Sequence, residues 1–398
     1  MSDTTTPTTP SPAPPDRNAR WREVGREIVA GNAMVSFLAL LLAVVVGSLL
    51  IGLTSADVRD SFGSSDFLSK FWETITGAYD SLFKGAIWNA DGKNFDFQIR
   101  PLTETLKFAG PLIAAGLGVG LAFRAGMFNI GGRGQMIMAG AFAGWIGFKL
   151  DLPTIIHLPL AIIVGMVAGA LWAGLAGLIK ARTGAHEVIL TIMLNYIAYY
   201  LVFFALTKKN LLQAPGSDNP KSLPMKDSAT LPKIAGDHFN LHLGFVLALV
   251  GVAVTWWILN RSALGYQMRA VGLNPTAAQA AGINVGRIYV VTMTIAGALI
   301  GLAGVNQVLG TVPSGVGTDV DAGIGFDAIT VALLGRSRPL GILAAGLLFG
   351  AFKAGGFAMQ ASQGISVDIV LVVQSLIVLF IAAPPLVRAI FRLPKESK

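Results

Sequence analysis

Groups able to do chemistry are sparse in this chain. Asp327 is the one acidic residue well inside an apolar stretch. A carboxylate there either marks an ion or solute path or caps the helix that follows it. Glu187 stands beside His186 at the start of another apolar run, where it fits a helix N-terminal charge. Asn195, in the same run, suits either the lining of a polar path or a bond to a neighbouring helix. His238 and His242 have the i, i+4 spacing of a metal pair, but no third ligand is near and Asn240 lies between them, so no metal site is expected. The Gly92-Lys93 pair is followed by Asn94, not Ser or Thr, which excludes a phosphate loop. No Gly-x-Ser-x-Gly nucleophile motif occurs. With no cysteine, disulfides and thiolate chemistry are excluded as well.

The elements that hold these groups belong to a membrane. Hydrophobic residues make up 53% of the 398 positions and charged ones 13%, about half the charged share of a soluble domain. The 47 glycines suit helices that pack backbone to backbone in lipid. A net charge of +8 could attract nucleic acid, but the basic residues are dispersed between apolar runs, which ties them to topology and gives no nucleic-acid partner. Apolar runs lie at 34–53, 102–123, 134–150, 157–179, 187–206, 242–259, 287–309, 324–335, 339–357 and 366–383. Most approach the ~20 residues that cross a ~30 Å hydrocarbon core. The fold class expected is therefore an all-α membrane protein of about ten transmembrane helices, with 324–335 short enough for a half-span.

Loop charges give the orientation. With the N-terminus inside, the short inner connections hold Arg124 and Arg133, Lys180 and Arg182, Arg261, Arg269 and Arg287, then Arg336 and Arg338. The short outer ones, 151–156, 311–323 and 358–365, carry no Lys or Arg. Residues 1–33 read as a disordered Pro/Thr-rich cytoplasmic tail with a basic flank, and 384–398 as a basic cytoplasmic tail. The outer segment 54–101 has seven acidic and five basic residues. Within it, 66–88 reads either as an amphipathic helix on the outer membrane face or as a loop folded onto the core.

Two places break the helical pattern: Phe128 to Gln135, after the second span, and Gly315 to Phe326, after the seventh. Glycine at this density frees backbone amides and carbonyls. At membrane depth such backbone survives only inside protein or beside an aqueous cavity. Spans two to five and seven to ten form two sets of four, each broken after its first span and running in opposite senses. That is an inverted repeat, in which matched breaks point to a substrate path. The alternative is a pair of ordinary Gly-rich loops.

The segment 260–286 joins the sixth and seventh spans. Asn274 is a good N-cap and Pro275 suits the first helical position. Ala277, Ala278, Ala280 and Ala281 favour helix, and Gly282 can close it in the left-handed conformation. The result is a short rigid helix with small side chains, to which a partner's groove can come close. A self-contained connector is the alternative.

Four blocks now carry a resemblance. They are Phe123-Arg-Ala-Gly-Met-Phe128-Asn129-Ile-Gly131 with Gly134-Gln135; Glu187-Val-Ile-Leu-Thr191-Ile-Met-Leu-Asn195-Tyr-Ile-Ala; Arg269-Ala-Val-Gly272-Leu-Asn274-Pro275-Thr-Ala277-Ala278; and Gly325-Phe326-Asp327-Ala-Ile329-Thr-Val-Ala-Leu-Leu-Gly335 with Pro339 and Gly341. In this order the chain resembles the permease subunits of bacterial ABC importers for simple sugars, branched-chain amino acids and nucleosides, and most of all their nucleoside-type branch. The departure is Arg133, where many relatives carry Glu.

The resemblance implies a pore in the bacterial plasma membrane, made with a second homologous permease subunit and embedded in membrane lipid. A cytoplasmic ATPase, possible as a tandem-domain protein, would bind ATP and Mg, with no cofactor on this chain. A substrate-binding lipoprotein outside would deliver a small polar solute. Phe128, Asn129, Gly131, Gln135, Asn195, Phe326 and Asp327 become candidate substrate-path residues. Arg269, Gly272, Asn274, Pro275, Ala277, Ala278 and Gly282 become candidates for ATPase coupling. No catalytic residue is expected. The alternatives are a permease for simple sugars or another small polar solute, an ion-coupled secondary transporter with Asp327 as its coupling group, or a membrane scaffold without transport.

Overall fold

In lipid a backbone must satisfy its own hydrogen bonds, and a helix does so within one segment. The computed structural model describes residues 32–392, and there every expected apolar run is helical. The tail through residue 31, and Lys395 and Lys398 at the other end, lie outside the described residues. In chain order the helices are α1 (Asn32–Thr54), α2 (Ala56–Asp60), α3 (Phe67–Ala86), α4 (Phe95–Arg124), α5 (Gly132–Lys149), α6 (Thr154–Thr183), α7 (Glu187–Leu206), α8 (Gly244–Arg261), α9 (Ala263–Leu273), α10 (Pro275–Ala280), α11 (Val285–Asn306), α12 (Ile324–Leu334), α13 (Pro339–Gln363), α14 (Val367–Ala382) and α15 (Pro384–Ile390). The last turn of α11 widens into a π-turn over Gln307–Thr311. Among the described residues the sole β pairing is one antiparallel bridge, Lys233 to His242.

Six of these helices are long and apolar enough to cross a membrane: α4, α6, α7, α8, α11 with its π-turn, and α13. The 11 residues of α12 reach only about 16 Å, half of a hydrocarbon core, so the 324–335 run is a half-span. Among the described residues two units separate by contact, 47–374 and 32–46 with 375–392.

Within 47–374, the packing repeats itself when the first three helices of the two sets are exchanged. α4 packs on α13, as α11 packs on α6; α5 packs on α6, as α12 on α13; α4 meets α12, as α11 meets α5. The two pairs that map onto themselves, α4 with α11 and α5 with α12, are both in contact. The sequence expects a repeat of these two sets, and the shared contact pattern is what such a repeat requires. The α6–α11 interface is the most extensive, and it is built on small residues: a Cβ on Gly169 would lie 2.6 Å from Gly297 O and 2.8 Å from Gly301 Cα.

The helix of the 54–101 segment, α3, lies against α13. Ser362 Oγ donates to Ser81 Oγ at 2.9 Å, and Gly355 admits the Leu82 carbonyl. Ile75, Ala78 and Ala86 are buried, while Leu68, Trp72 and Phe83 are exposed. The segment is both amphipathic and folded onto the core. Three boundaries differ from expectation. The second span begins at Phe95, because Phe95 to Arg100 continues the helix before Pro101. An unexpected helix, α9, precedes the capped one, and α15 opens the C-terminal tail.

Candidate substrate path at the crossing of two broken helices

α4 ends at Arg124, and residues 125–131 run without helix to the start of α5. Irregular backbone there needs acceptors, and α7 supplies them. Glu187, Thr191 and Asn195 recur every four residues and so share one helical face. Phe128 N–H donates to Glu187 Oε1 at 3.3 Å, Ile130 N–H to Thr191 Oγ1 at 3.3 Å, and Gly134 N–H to Asn195 Oδ1 at 2.8 Å. Asn195 Nδ2 returns a bond to Ile130 O at 3.0 Å. Lys180 donates to the other Glu187 oxygen at 2.6 Å, so the carboxylate at the base of the ladder is paired. The segment climbs α7 rung by rung, about 12 Å over eight residues.

Asn129 and Gln135 close the inside of the same turn. Gly131 N–H and Gln135 Nε2 both donate to Asn129 Oδ1 at 3.0 Å, and Asn129 Nδ2 donates to Gln135 Oε1 at 3.3 Å. Asn129, Gln135, Thr191 and Asn195 are all buried. Their polar atoms are thus engaged in holding the first break open against helix formation.

The second break runs from the π-turn to α12. Ser222 brackets it, accepting from Val316 N–H at 2.8 Å and donating its own N–H to Val316 O at 3.0 Å. Gly315 and Gly323 take φ of +125° and +78°, which only glycine adopts without strain. Its end meets the first break: a Cβ on Gly132 would lie 2.7 Å from Gly325 O, and one on Gly325 would lie 2.4 Å from Arg133 N. The N-termini of α5 and α12 therefore cross backbone on backbone. Helix N-termini carry positive potential, which favours oxygen-bearing groups at the crossing.

Charges collect around this crossing. Arg133 pairs with buried Asp321 at 3.4 Å and lies over the Tyr199 ring, 5.4 Å from its centroid. Lys353 of α13 donates to Ala322 O at 3.0 Å and interacts electrostatically with Asp321 and Asp327. Asp327 sits in the first turn of α12 but does not cap it; Gly323 is the N-cap, with no side-chain bond. Beside the break lies a cleft of about 380 Å³, whose polar lining includes Lys221, Gln307, Thr318 and Asp319.

Of the expected path residues, then, Asn129, Gly131, Gln135 and Asn195 form one hydrogen-bonded unit, and Phe326 and Asp327 stand across the Gly132–Gly325 crossing from it. Phe128 is 39% exposed and stacks on Phe123 at 4.8 Å; Phe326 is 49% exposed. Asp321 and Lys353 are not among the path residues expected from the sequence. A lone lysine inside the apolar 339–357 run was the available signal. His242 is buried, with Nδ1 accepting from Gly244 N–H, and His238 is exposed. Among the described residues no three His, Cys, Asp or Glu side chains gather to hold a metal.

The 263–284 segment sits at the far end of α4. Gly272 packs on the Arg124–Gly126 turn, where a Cβ would meet Arg124 O at 2.3 Å. Arg269 stands one turn earlier on α9 and lines a cleft with Arg124. Asn274 ends α9 and caps α10, accepting from Ala277 N–H at 3.0 Å; Pro275 is the first residue of α10, and Gly282 has φ +84°. Ala277, Gln279 and Ala280 are exposed, and Leu273 is 88% exposed. Ala278 faces inward at 4%, so one of the two alanines expected to meet a partner serves the fold.

Comparison with known proteins fits this arrangement. The chain is 34% identical to the guanosine ABC transporter permease protein NupP of Bacillus subtilis, over 90% of this chain and 95% of the relative. It is 31% identical to the glucose ABC transporter permease protein TsgB13 of Haloferax volcanii, over 86% of this chain and 85% of that one. It is 29% identical to a second Bacillus subtilis guanosine ABC transporter permease, NupQ, over 62% of this chain and 78% of the relative. No solved structure matches. The family model described as branched-chain amino acid transport system / permease component matches residues 102–382, from inside α4 to the end of α14 and across both breaks, and the chain belongs to that family of membrane transport subunits.

Proposed function

We propose that this chain is one of two unlike permease subunits in an ATP-driven nucleoside importer of a bacterial plasma membrane. The observation that carries the reading is the backbone crossing at Gly132 and Gly325, where two helices begin inside the protein with charged and polar groups around them. Such a crossing supplies a polar point within lipid, as a solute path needs. Similarity to NupP supports nucleoside as cargo, and TsgB13 makes glucose the nearest competitor. Similarity to both NupP and NupQ, two guanosine permeases of one organism, supports a second subunit.

In this reading both termini and the α9–α10 segment face the cytoplasm, as the loop arginines indicate. A separate ATPase binds ATP and Mg and grips the exposed face of α10. ATP drives the cycle only by binding one pore state more tightly than the other. A lipoprotein outside hands the solute to the second break.

The test is uptake of radiolabelled guanosine into proteoliposomes holding both permeases, the ATPase and the binding protein. Uptake that needs ATP and is blocked by excess unlabelled nucleoside but not by glucose is expected. Uptake driven by an ion gradient without the ATPase would overturn the energy source. Competition by glucose alone would overturn the cargo.

A further inference from the structure

Arg124 at the end of α4, Arg269 on α9 and Arg338 before α13 line one cleft of about 670 Å³. No Asp or Glu lines it, and none of the ion pairs among the described residues involves these three. Arg338 and Arg269 each act electrostatically on Arg124, whose Nε donates to Ser337 O at 2.9 Å. Backbone adds to the positive field. α13 begins at Pro339, and the amide of Ile342 is bonded to Arg338 O, which leaves those of Leu340 and Gly341 in its first turn open to another acceptor. Three uncompensated guanidiniums and a helix N-terminus in one concavity need an anion, because like charges brought together cost free energy without one.

The rest of the lining says which anion. Trp256 and Leu340 are 41% and 64% exposed in the same cleft. On α8, which carries Trp256, the apolar residues Val246, Val250, Val254 and Trp257 are exposed at helical spacing. A phosphate with hydrocarbon attached matches both surfaces; a soluble anion or an acidic protein face matches the arginines alone. Guanidinium forks fit phosphate oxygens well, and basic pockets between helices on the cytoplasmic side suit anionic lipid. We propose that this cleft binds the phosphate headgroup of an anionic phospholipid, with its acyl chains along α8. Because Arg269 lies on α9, which shares Asn274 with α10, the lipid would brace the segment that receives the ATPase. Its placement in the inner leaflet rests on the orientation proposed above.

The test needs neither transport nor orientation, so its failure leaves the importer reading untouched. The full-length chain with its companion permease is extracted from vesicles of equal phosphatidylglycerol and phosphatidylcholine, and retained lipid is counted by native mass spectrometry. Wild type should keep phosphatidylglycerol in preference, and Arg269→Gln with Arg338→Gln should cut that preference roughly tenfold or more. Arg338→Lys should retain most of it. If the double variant fails to fold, Arg338→Gln alone, at an exposed position, should still lower the preference. Equal retention of the two lipids by wild type would overturn the proposal. So would an unchanged preference in a variant that melts as wild type does. Displacement by inorganic phosphate would assign the cleft to the free anion. Displacement on adding the ATPase subunit would assign it to protein carboxylates. Either would overturn the lipid as occupant.

Discussion

Gly132 and Gly325 touch through their backbones, so that a methyl group on either would overlap the other strand of the crossing: Gly325 O at 2.7 Å from one side, Arg133 N at 2.4 Å from the other. The residues are 193 positions apart; Gly132 opens α5 and Gly325 is the second residue of α12, the two helices that the repeat exchanges. Close packing leaves no slack for side chains here.

Gly132→Ala and Gly325→Ala should each reduce transport by at least about tenfold, since a displacement near 1 Å at a path can cost this much. Gly251→Ala is the control, because its Cβ would meet Leu117 at an ordinary 3.4 Å. Guanosine uptake by the reconstituted complex is the measurement. Wild-type uptake by both crossing variants would mean that the crossing is not a constriction.

Asn195→Leu removes the partners of Gly134 N–H and Ile130 O together. Two buried polar groups left unpaired should cost about 2–4 kcal/mol. Thr191→Val, which strips an acceptor from Ile130 N–H alone, should cost about 1–2 kcal/mol. Thermal unfolding in one fixed detergent would rank them. If Asn195→Leu melts no lower than Thr191→Val, the first break does not lean on α7 as described.

Ala277 and Ala278 should part company. Ala277→Asp, at an exposed position, should leave the melting temperature unchanged while uncoupling ATP hydrolysis from uptake. Ala278→Asp should destabilise the chain by about 2 kcal/mol or more, because it buries a carboxylate at a position 4% exposed. ATPase rate, uptake and melting measured on the same preparations separate the two effects. An Ala277→Asp complex with normal coupling would place the ATPase contact elsewhere.

The Arg133–Asp321 pair predicts a charge swap. Arg133→Glu sets two carboxylates against each other and should lower uptake, and adding Asp321→Arg should recover part of the loss. No recovery in the double variant, with normal membrane yield, would mean that the pair is not coupled.

Much of the fold was legible in the residues because lipid imposes one rule on every segment. Runs such as 187–206 and 287–309 had to be helices. Asn274, Pro275 and Gly282 announced α10 through local chemistry. The repeat was visible as two glycine-rich gaps in matching places. Glu187, Thr191 and Asn195 were readable as one face of α7, but not what that face holds.

What the chain order could not say is which groups face one another across long separations. Asn129 and Gln135 were candidates for lining a solute path, and Asn195 for that or for a bond to a neighbouring helix; the fold shows all three bonded within the first break, Asn195 as such a bond, since buried amides pair with backbone or side-chain groups within reach. Lys353 became a partner of the second break only when α13 was laid beside α12. Helix content follows from local hydrogen bonding and transfer free energy, which each segment settles alone. The crossing at Gly132 and Gly325, the Arg133–Asp321 pair and the three-arginine cleft depend on packing between distant segments, and only the folded chain sets that.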